Sequence, residues 1–397
     1  TDSWGAKGTG VAPNYDAKDF FKTGMTTINS VSLSSGSEAL QTYFSYANTY
    51  GKGIIEHSSL NKHNFNFRET ANFFDKKLIM DANVNLMYQD VRNRPTPGGF
   101  YMNPLVGLYK FPRGGTEDGH DLSYYRDNYK VFNAQRNMYL QNWYKSLNGG
   151  WDQNPYWLTN MLPSSDRRYR TIANLSATYK INKLFTIQVR GNADFVADNY
   201  EQKMYAGTDP ALTTKENGRY TVSQSNDLNI YGDALFTYQQ TFKNFAVNAT
   251  IGASLKDLSG RNIGIDSYGG GLYNPNIFAI RNIDLNSGAP SLGKYHTQDQ
   301  AVFFAGQLGF RDWLFLDVTA RNDWTSSLAY TKYNDKGFFY PSAGLTWVIN
   351  ESLKLPEWIN LGKLRGAWSK VGNGLPRYIS NPLNSVGKGG NISYNTT

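Results

Sequence analysis

The chain has no cysteine, few histidines, little charge and no long apolar run, and each absence removes a class of protein. With no cysteine among 397 residues, disulfides, cysteine metal sites and thiol catalysis are excluded. No stretch approaches the roughly 18 apolar residues that a transmembrane helix requires, which excludes a helical membrane protein. A β-barrel is not excluded, because half of each of its strands faces a polar interior and the hydropathy signal per strand is weak.

The sequence also lacks the residue patterns that are typical of enzymes and of nucleic-acid-binding proteins. The four histidines show no close metal-ligand spacing, and neither a G-x-S-x-G elbow nor a phosphate-binding loop occurs. We therefore predict that the chain is not an enzyme and uses no cofactor or metal. The net charge of +8 comes from 40 basic and 32 acidic residues. The basic residues are scattered rather than gathered in a patch, so nucleic acid is not an expected partner.

What the sequence does contain is strict alternation of apolar and polar residues. In Phe245–Leu255 every odd position is apolar, and the even positions from Asn248 to Ser254 are polar or small. A period of two indicates a strand with one apolar and one polar face. The length also fits, because a transmembrane β-strand needs about 9–11 residues to cross the hydrocarbon layer.

Six hairpins show this pattern. Their strands are predicted over Thr26–Tyr50, Asn61–Ala71 with Lys77–Gln89, Arg170–Tyr179 with Leu184–Phe195, Leu228–Gln239 with Phe245–Leu255, Gln298–Gly309 with Trp313–Arg321, and Pro341–Ile349 with Lys363–Lys370. Five of the turns are short, whereas long loops are predicted over 90–166, 197–225 and 256–297, the first with a short helix near Leu122–Leu147. Short turns at one end and long loops at the other are typical of outer-membrane barrels.

The placement of charges and aromatic residues favours the same architecture. Four charged residues fall on the polar register and are predicted to face the lumen: Arg190, Asp194, Asp317 and Arg321. An arginine on the lipid face near the midplane would cost about 2–4 kcal/mol, so a barrel requires this placement. Aromatic residues at strand ends predict interfacial belts: Tyr88, Tyr179, Tyr238 and Trp313.

Three segments resemble the SusC/RagA-type TonB-dependent transporters. They are Leu316–Leu328, Phe338–Trp347 and Leu361–Asn373, the last ending in Val-Gly-Asn. Weaker matches occur at Ser35–Glu38 with Tyr43–Tyr46, and at Gly271–Pro275. The resemblance implies an all-β, antiparallel transmembrane barrel of 22 strands with short periplasmic turns and long extracellular loops. It also implies import of oligosaccharides or peptides across the outer membrane of a Gram-negative bacterium. The implied partners are a SusD-like surface lipoprotein, the TonB complex and outer-membrane lipid.

The chain accounts for only part of that pattern. About twelve strands are present, and the plug domain and TonB box of such transporters are not recognisable. An open sheet would expose unpaired edges, which do not persist in hydrocarbon. We expect residues 1–24 to be a lead-in after a plug, 25–373 to form barrel strands, and 374–397 to begin an extracellular loop.

Aromatic residues on the long loops are the candidates for ligand contact, since concave aromatic sites suit sugar rings. They are Trp143, Trp151, Tyr156, Trp157, Tyr268 and Tyr273. Alternatively, these side chains pack the loops against one another or against a lipoprotein lid, and the lumenal arginines grip a plug. Other functions also remain open: a siderophore or metal-chelate receptor, a passive barrel or surface binding protein, and a soluble carbohydrate-active protein.

Overall fold

The structure is a computed structural model that describes residues 16–95, 101–112, 115–116, 118–145, 152–284, 290–356, 358–379, 385–386 and 392–393. The strands are β1 (Met25–Gly36), β2 (Leu40–Lys52), β3 (Ser59–Phe73), β4 (Leu78–Arg92), β5 (Lys130–Asn133), β6 (Met138–Gln141), β7 (Ser164–Lys180), β8 (Phe185–Met204), β9 (Arg219–Phe242), β10 (Phe245–Asp266), β11 (Ser291–Phe310), β12 (Leu314–Thr325), β13 (Phe338–Val348), β14 (Lys363–Ser369), β15 (Ser385–Val386) and β16 (Ile392–Ser393). The helices are α1 (Pro104–Lys110), α2 (Leu122–Asp127), α3 (Pro155–Met161), α4 (Pro210–Thr213) and α5 (Ile349–Ser352).

Twelve of these strands form one antiparallel sheet in the order β1-β2-β3-β4-β7-β8-β9-β10-β11-β12-β13-β14. Within this sheet the strands follow one another in chain order, with the β5–β6 hairpin outside it, so successive connections alternate between the two ends of the sheet. The short turns, such as those between β9 and β10 and between β11 and β12, therefore all lie at one end. The predicted strands and their pairing into six hairpins are confirmed.

Two of the predicted loops are wrong in their extent. β8 continues to Met204 and β9 begins at Arg219, so much of 197–225 is strand. Likewise β10 continues to Asp266 and β11 begins at Ser291, which shortens the loop predicted over 256–297. The physical reason is that these strands extend beyond the apolar band. There both faces carry polar residues, so the alternation ends before the hydrogen-bonded ladder does.

The outward face of the sheet carries a continuous apolar band. Its exposed members include Val84, Leu86, Leu175, Ile187, Val189, Ile230, Phe236, Ile251, Leu255, Val302, Phe304, Leu316, Val318 and Leu345. A band of exposed aliphatic and aromatic side chains on a sheet is the surface that hydrocarbon covers in a transmembrane barrel. Glu69 interrupts the band, because it shares the outward register of Phe67 and accepts a hydrogen bond from Thr42 Oγ1 at 2.7 Å.

Aromatic side chains cluster at the ends of the strands. At the end that carries the long loops, Tyr88 lies beside Tyr169, with ring centroids 5.0 Å apart. At the end with the short turns, Tyr238 contacts Phe185 at 5.1 Å and Trp313 contacts Phe310 at 5.6 Å. Amphipathic aromatic rings occupy such positions at the two membrane–water interfaces of a barrel.

The long segment between β4 and β7 folds upon itself. One short helix was expected within it, but its described part contains α1, α2 and α3 together with the β5–β6 hairpin. Asn103 and Asn154 cap α1 and α3, and each is followed by proline at the first helical position. Buried aromatic and aliphatic side chains join these helices into a compact loop core, whose members include Leu108, Phe111, Leu122, Tyr125, Tyr156 and Trp157.

In the part of the chain that the structure describes, no helix has both the length and the apolar character needed to cross a membrane.

Candidate functional site

The lumenal face of β7, β8 and β9 carries arginine–aspartate pairs joined by two hydrogen bonds each. Arg190 donates from Nε and Nη2 to the two carboxylate oxygens of Asp233, at 2.8 and 2.6 Å. Arg170 donates in the same way to Asp194, at 2.8 and 2.6 Å. Planar pairs of this kind fix both side chains, because the guanidinium matches the geometry of the carboxylate. The predicted lumenal residues Arg190 and Asp194 thus each hold a partner on a neighbouring strand.

The two other predicted lumenal residues lie on β12. Asp317 accepts a hydrogen bond from Gln307 Nε2 at 2.7 Å. The Nε of Arg321 donates to Asp323 at 2.6 Å, and its guanidinium lies 5.4 Å from the ring centroid of Phe303. Arg321 also lines a cavity of about 390 Å³ together with Tyr231, Lys256, Asp299, Asp323 and Tyr340. This cavity brings cations, carboxylates and aromatic rings together on the lumenal wall.

Four asparagine side chains form a ladder across the same wall. Asn192 Nδ2 donates to Asn174 Oδ1 at 2.6 Å, Asn174 Nδ2 reaches Asn83 Oδ1 at 3.5 Å, and Asn83 Nδ2 donates to Asn66 Oδ1 at 3.3 Å. Each amide has both donors and acceptors. The ladder therefore presents a row of neutral hydrogen-bonding groups between the charged pairs.

Trp157 and Tyr156, two of the predicted ligand-binding residues, lie inside the loop core. Trp157 is 0% exposed and its indole N–H donates to Thr208 Oγ1 at 2.9 Å. Tyr156 is buried and packs edge-on against Phe20, with ring centroids 5.4 Å apart. In this conformation both side chains stabilise the fold of the loops.

Trp143 is half-buried and belongs to the same aromatic cluster. Its ring lies 5.3 Å from that of Tyr125 and 4.8 Å from that of Tyr144. Trp151 lies outside the described residues.

Tyr268 and Tyr273 are the candidate aromatic residues that remain on the surface. They are 51% and 57% exposed, on the loop between β10 and β11. The Arg219 guanidinium lies 4.6 Å from the Tyr268 ring. The Tyr273 hydroxyl donates to Asp284 at 3.1 Å, and this hydrogen bond to a carboxylate raises the pKa of the tyrosine. Their contact with a ligand stays a prediction.

Sequence reasoning missed a set of buried polar residues that hold the loop core. Gln141 Nε2 donates to Gln153 Oε1 at 2.9 Å, and Gln141 Oε1 accepts from the Asn154 backbone N–H at 2.8 Å. The Asp209 backbone N–H donates to Gln153 at 2.9 Å, and burial raises the pKa of the Asp209 carboxyl. Buried amides have no sequence signal of their own. The one available signal was the Asn154-Pro155 pair, since asparagine followed by proline is typical of the start of a helix.

Removing Arg190 from the lumenal wall tests how much its pair with Asp233 contributes to the free energy of unfolding. The Asp233 side chain is 0% exposed and also accepts from Tyr231 Oη at 2.8 Å. Arg190→Ala leaves this buried carboxylate without its cation. We expect a loss of about 2 kcal/mol in the free energy of unfolding, reduced from the usual penalty because Arg190 is half-exposed. Urea unfolding followed by gel mobility of the unheated protein measures it.

The matched control is Arg321→Ala, since its partner Asp323 is 33% exposed and regains water. That variant should lose well under 1 kcal/mol, as an exposed pair does. Equal losses in the two variants would contradict a special role for burial at Asp233.

No protein-family model matches the chain. No curated protein matches it either. Among solved structures, the RagAB peptide transporter superposes with a TM-score of 0.75 at 19% sequence identity, over 97% of this chain and 42% of that one. The chain has part of the barrel fold of the RagAB structure. The predicted fold class, an antiparallel transmembrane β-barrel of which this chain supplies about twelve strands, is confirmed.

Two further structures support this assignment of the fold. The RagAB peptide importer in its closed-closed state gives a TM-score of 0.74 at 16% identity, over 96% of this chain and 41% of that one. FpvA of P. aeruginosa, in complex with an iron-loaded pyoverdine, gives 0.51 at 11% identity, over 82% and 39%. The chain therefore spans less than half the length of these structures.

Proposed function

We propose that this chain forms part of the wall of an outer-membrane transporter that imports peptides with energy from the TonB complex. The observation that carries the proposal is the superposition on the RagAB peptide transporter over nearly the whole chain. The outward apolar band and the polar lumenal face support it, because an importer needs a membrane-embedded wall and a hydrophilic path. The RagAB structures are described as those of a peptide transporter, and we propose a transport role for this chain rather than a catalytic one.

The chemistry of the lumenal wall supports a peptide as the cargo. A peptide presents backbone amides, a cationic and an anionic end, and varied side chains. The wall offers the asparagine ladder for amides and a cavity lined by Lys256, Asp299 and Arg321 for charged groups. An oligosaccharide, the alternative cargo, would depend more on exposed aromatic faces such as Tyr268.

A surface lipoprotein is part of the proposal, as the partner that closes the barrel. Several aromatic and aliphatic side chains are exposed on loops at the end of the barrel opposite the short turns. They are Tyr109, Tyr268, Tyr273, Ile277, Ile280 and Tyr330. Exposed residues of this kind are enriched in protein interfaces, and a lid that packs on them would shield them from water.

Uptake by cells tests the proposed function. Cells that produce the full transporter, cells that lack it, and cells that lack TonB are given labelled peptides, labelled oligosaccharides or labelled iron chelates in separate assays. We expect peptide uptake to require both the transporter and TonB, with oligosaccharide uptake unchanged. Loss of oligosaccharide uptake alone would make the cargo a glycan, and uptake that continues without TonB would indicate a passive barrel. Loss of iron-chelate uptake alone would favour the siderophore receptor.

A further inference from the structure

A shallow groove of about 540 Å³ lies on the outward surface of β8, β9, β10 and β11, near the upper edge of the apolar band. Its lower row is set by direct cross-strand pairing, with Phe195 opposite Leu228, Leu228 opposite Ser259, and Ser259 opposite His296. One row therefore changes from apolar on β8 and β9 to polar on β10 and β11. A surface that is apolar on one side and polar on the other suits a lipid, whose acyl chain and head group have the same two characters.

The row above it is cationic. Arg261 on β10 lies directly opposite Lys294 on β11, and Asn226 on β9 is the other neighbour of Arg261. Both cations are exposed. Among the described residues, neither forms an ion pair with a carboxylate. Like charges opposite each other in a sheet are destabilising unless an anion lies between them.

The acidic groups near this pair are already engaged. On the outward face, Asp257 accepts from His296 Nε2 at 2.8 Å and from Gln298 Nε2 at 3.1 Å. On the lumenal face, Asp227 accepts from Tyr295 Oη. The site at Arg261 and Lys294 therefore keeps its positive charge for a ligand from outside the wall.

The height of the pair relative to the membrane follows from the end of the apolar band. On β9 the band ends at Leu228, and Asn226 is two residues further, about 7 Å along the strand. On β10 the band ends at Leu255, six residues before Arg261, and on β11 it ends at Val302, eight residues from Lys294. Both cations therefore lie beyond the hydrocarbon layer on their own strands, whereas Phe195 and Leu228 on the neighbouring strands mark its edge.

We propose that this groove binds a phosphorylated lipid of the outer leaflet, with the phosphate between Arg261 and Lys294 and an acyl chain against Phe195 and Leu228. Arginine and lysine are the residues that bind phosphate, by directed hydrogen bonds and by charge. Tyr378 also lines the groove, and its hydroxyl accepts from the backbone N–H of His296 at 3.1 Å. The site depends on the proposed placement in the outer membrane, but not on transport of any cargo.

Retention of a defined lipid tests the site. The full protein in phosphatidylcholine nanodiscs receives bisphosphorylated lipid A or its dephosphorylated form, without cargo, and native mass spectrometry counts the bound lipid. We expect the wild type to retain the phosphorylated form. The double variant Arg261→Gln, Lys294→Gln should retain about tenfold less, which corresponds to the loss of about 1.4 kcal/mol of binding free energy.

The control variant Lys332→Gln, Lys336→Gln removes the same charge from exposed positions on an extracellular loop and should retain lipid as the wild type does. Inorganic phosphate is added as a competitor, and displacement at low concentration would mean that the site is one for free anions. Equal retention of both lipid forms by the wild type would overturn the proposal, as would equal loss in the control. Because no cargo is present, either result is independent of the uptake assay.

Discussion

Trp157→Ala is expected to unfold the extracellular loop core while the barrel wall remains intact. The indole is completely buried and its N–H is paired with Thr208. Truncation of a buried aromatic side chain costs about 3–5 kcal/mol, from lost contacts and the cavity that remains. The unpaired Thr208 hydroxyl adds to this loss. Limited proteolysis should therefore cut the segment between β4 and β7 at least tenfold faster, while the unheated protein keeps its barrel mobility on a gel.

Tyr268→Ala is the matched control for this experiment. Its side chain is 51% exposed and contacts Arg219, so its removal should leave the cleavage rate unchanged. If ligand uptake falls in this variant without a change in cleavage, Tyr268 contacts ligand. A Trp157→Ala protein as resistant as the wild type would show that the loop core does not depend on this residue.

Leu175→Arg on β7 is expected to impair membrane assembly. Leu175 is 53% exposed on the outward face and is opposite Ala82 on β4 and Gly191 on β8. An arginine on the lipid face near the midplane costs about 2–4 kcal/mol. One outward carboxylate, Glu69 on β3, lies opposite Ala82, two strands and about 10 Å away, and is already hydrogen-bonded to Thr42, so it offsets this cost only in part. The amount of folded protein in the outer membrane, measured by its gel mobility before heating, should fall several-fold.

The control is Asn174→Arg, one residue earlier on the same strand. Asn174 faces the lumen within the asparagine ladder, where water solvates an added guanidinium. This variant should lose only the hydrogen bonds of one amide, about 1 kcal/mol. If the two variants assemble equally well, the assignment of the two faces of the sheet would be wrong.

The strands were predictable because lipid and lumen impose opposite demands on alternate residues. In Phe245–Leu255 both demands apply at every position, so the sequence shows the strand and its orientation directly. Beyond Leu255, towards the long loops, the demands of lipid and lumen no longer apply, because both faces of the strand meet water or protein. The extension of β10 to Asp266 is specified by backbone pairing with β9 and β11, and no side-chain pattern reports it.

The loops illustrate the other limit. The aromatic residues Trp143, Tyr156 and Trp157 were predicted to contact a ligand, but composition alone does not separate a packed ring from a ring that faces a ligand. The structure separates them through burial, and burial depends on residues distant in sequence, such as Thr208. The partner of Arg190 was equally hidden, because Asp233 is 43 residues away and only the strand register joins them.

The order of the strands also bears on how the wall assembles. Because the strands of the sheet follow one another in chain order, each hairpin can add to the edge of the sheet formed so far. No segment has to pass through a loop that has already closed. The connection between β4 and β7 has about 70 residues, against six between β2 and β3. By chain entropy alone, closing the longer loop costs about 2 kcal/mol more. Burial of apolar side chains in the loop core offsets this cost. The segment between β4 and β7 therefore folds as a unit that holds the two strands together.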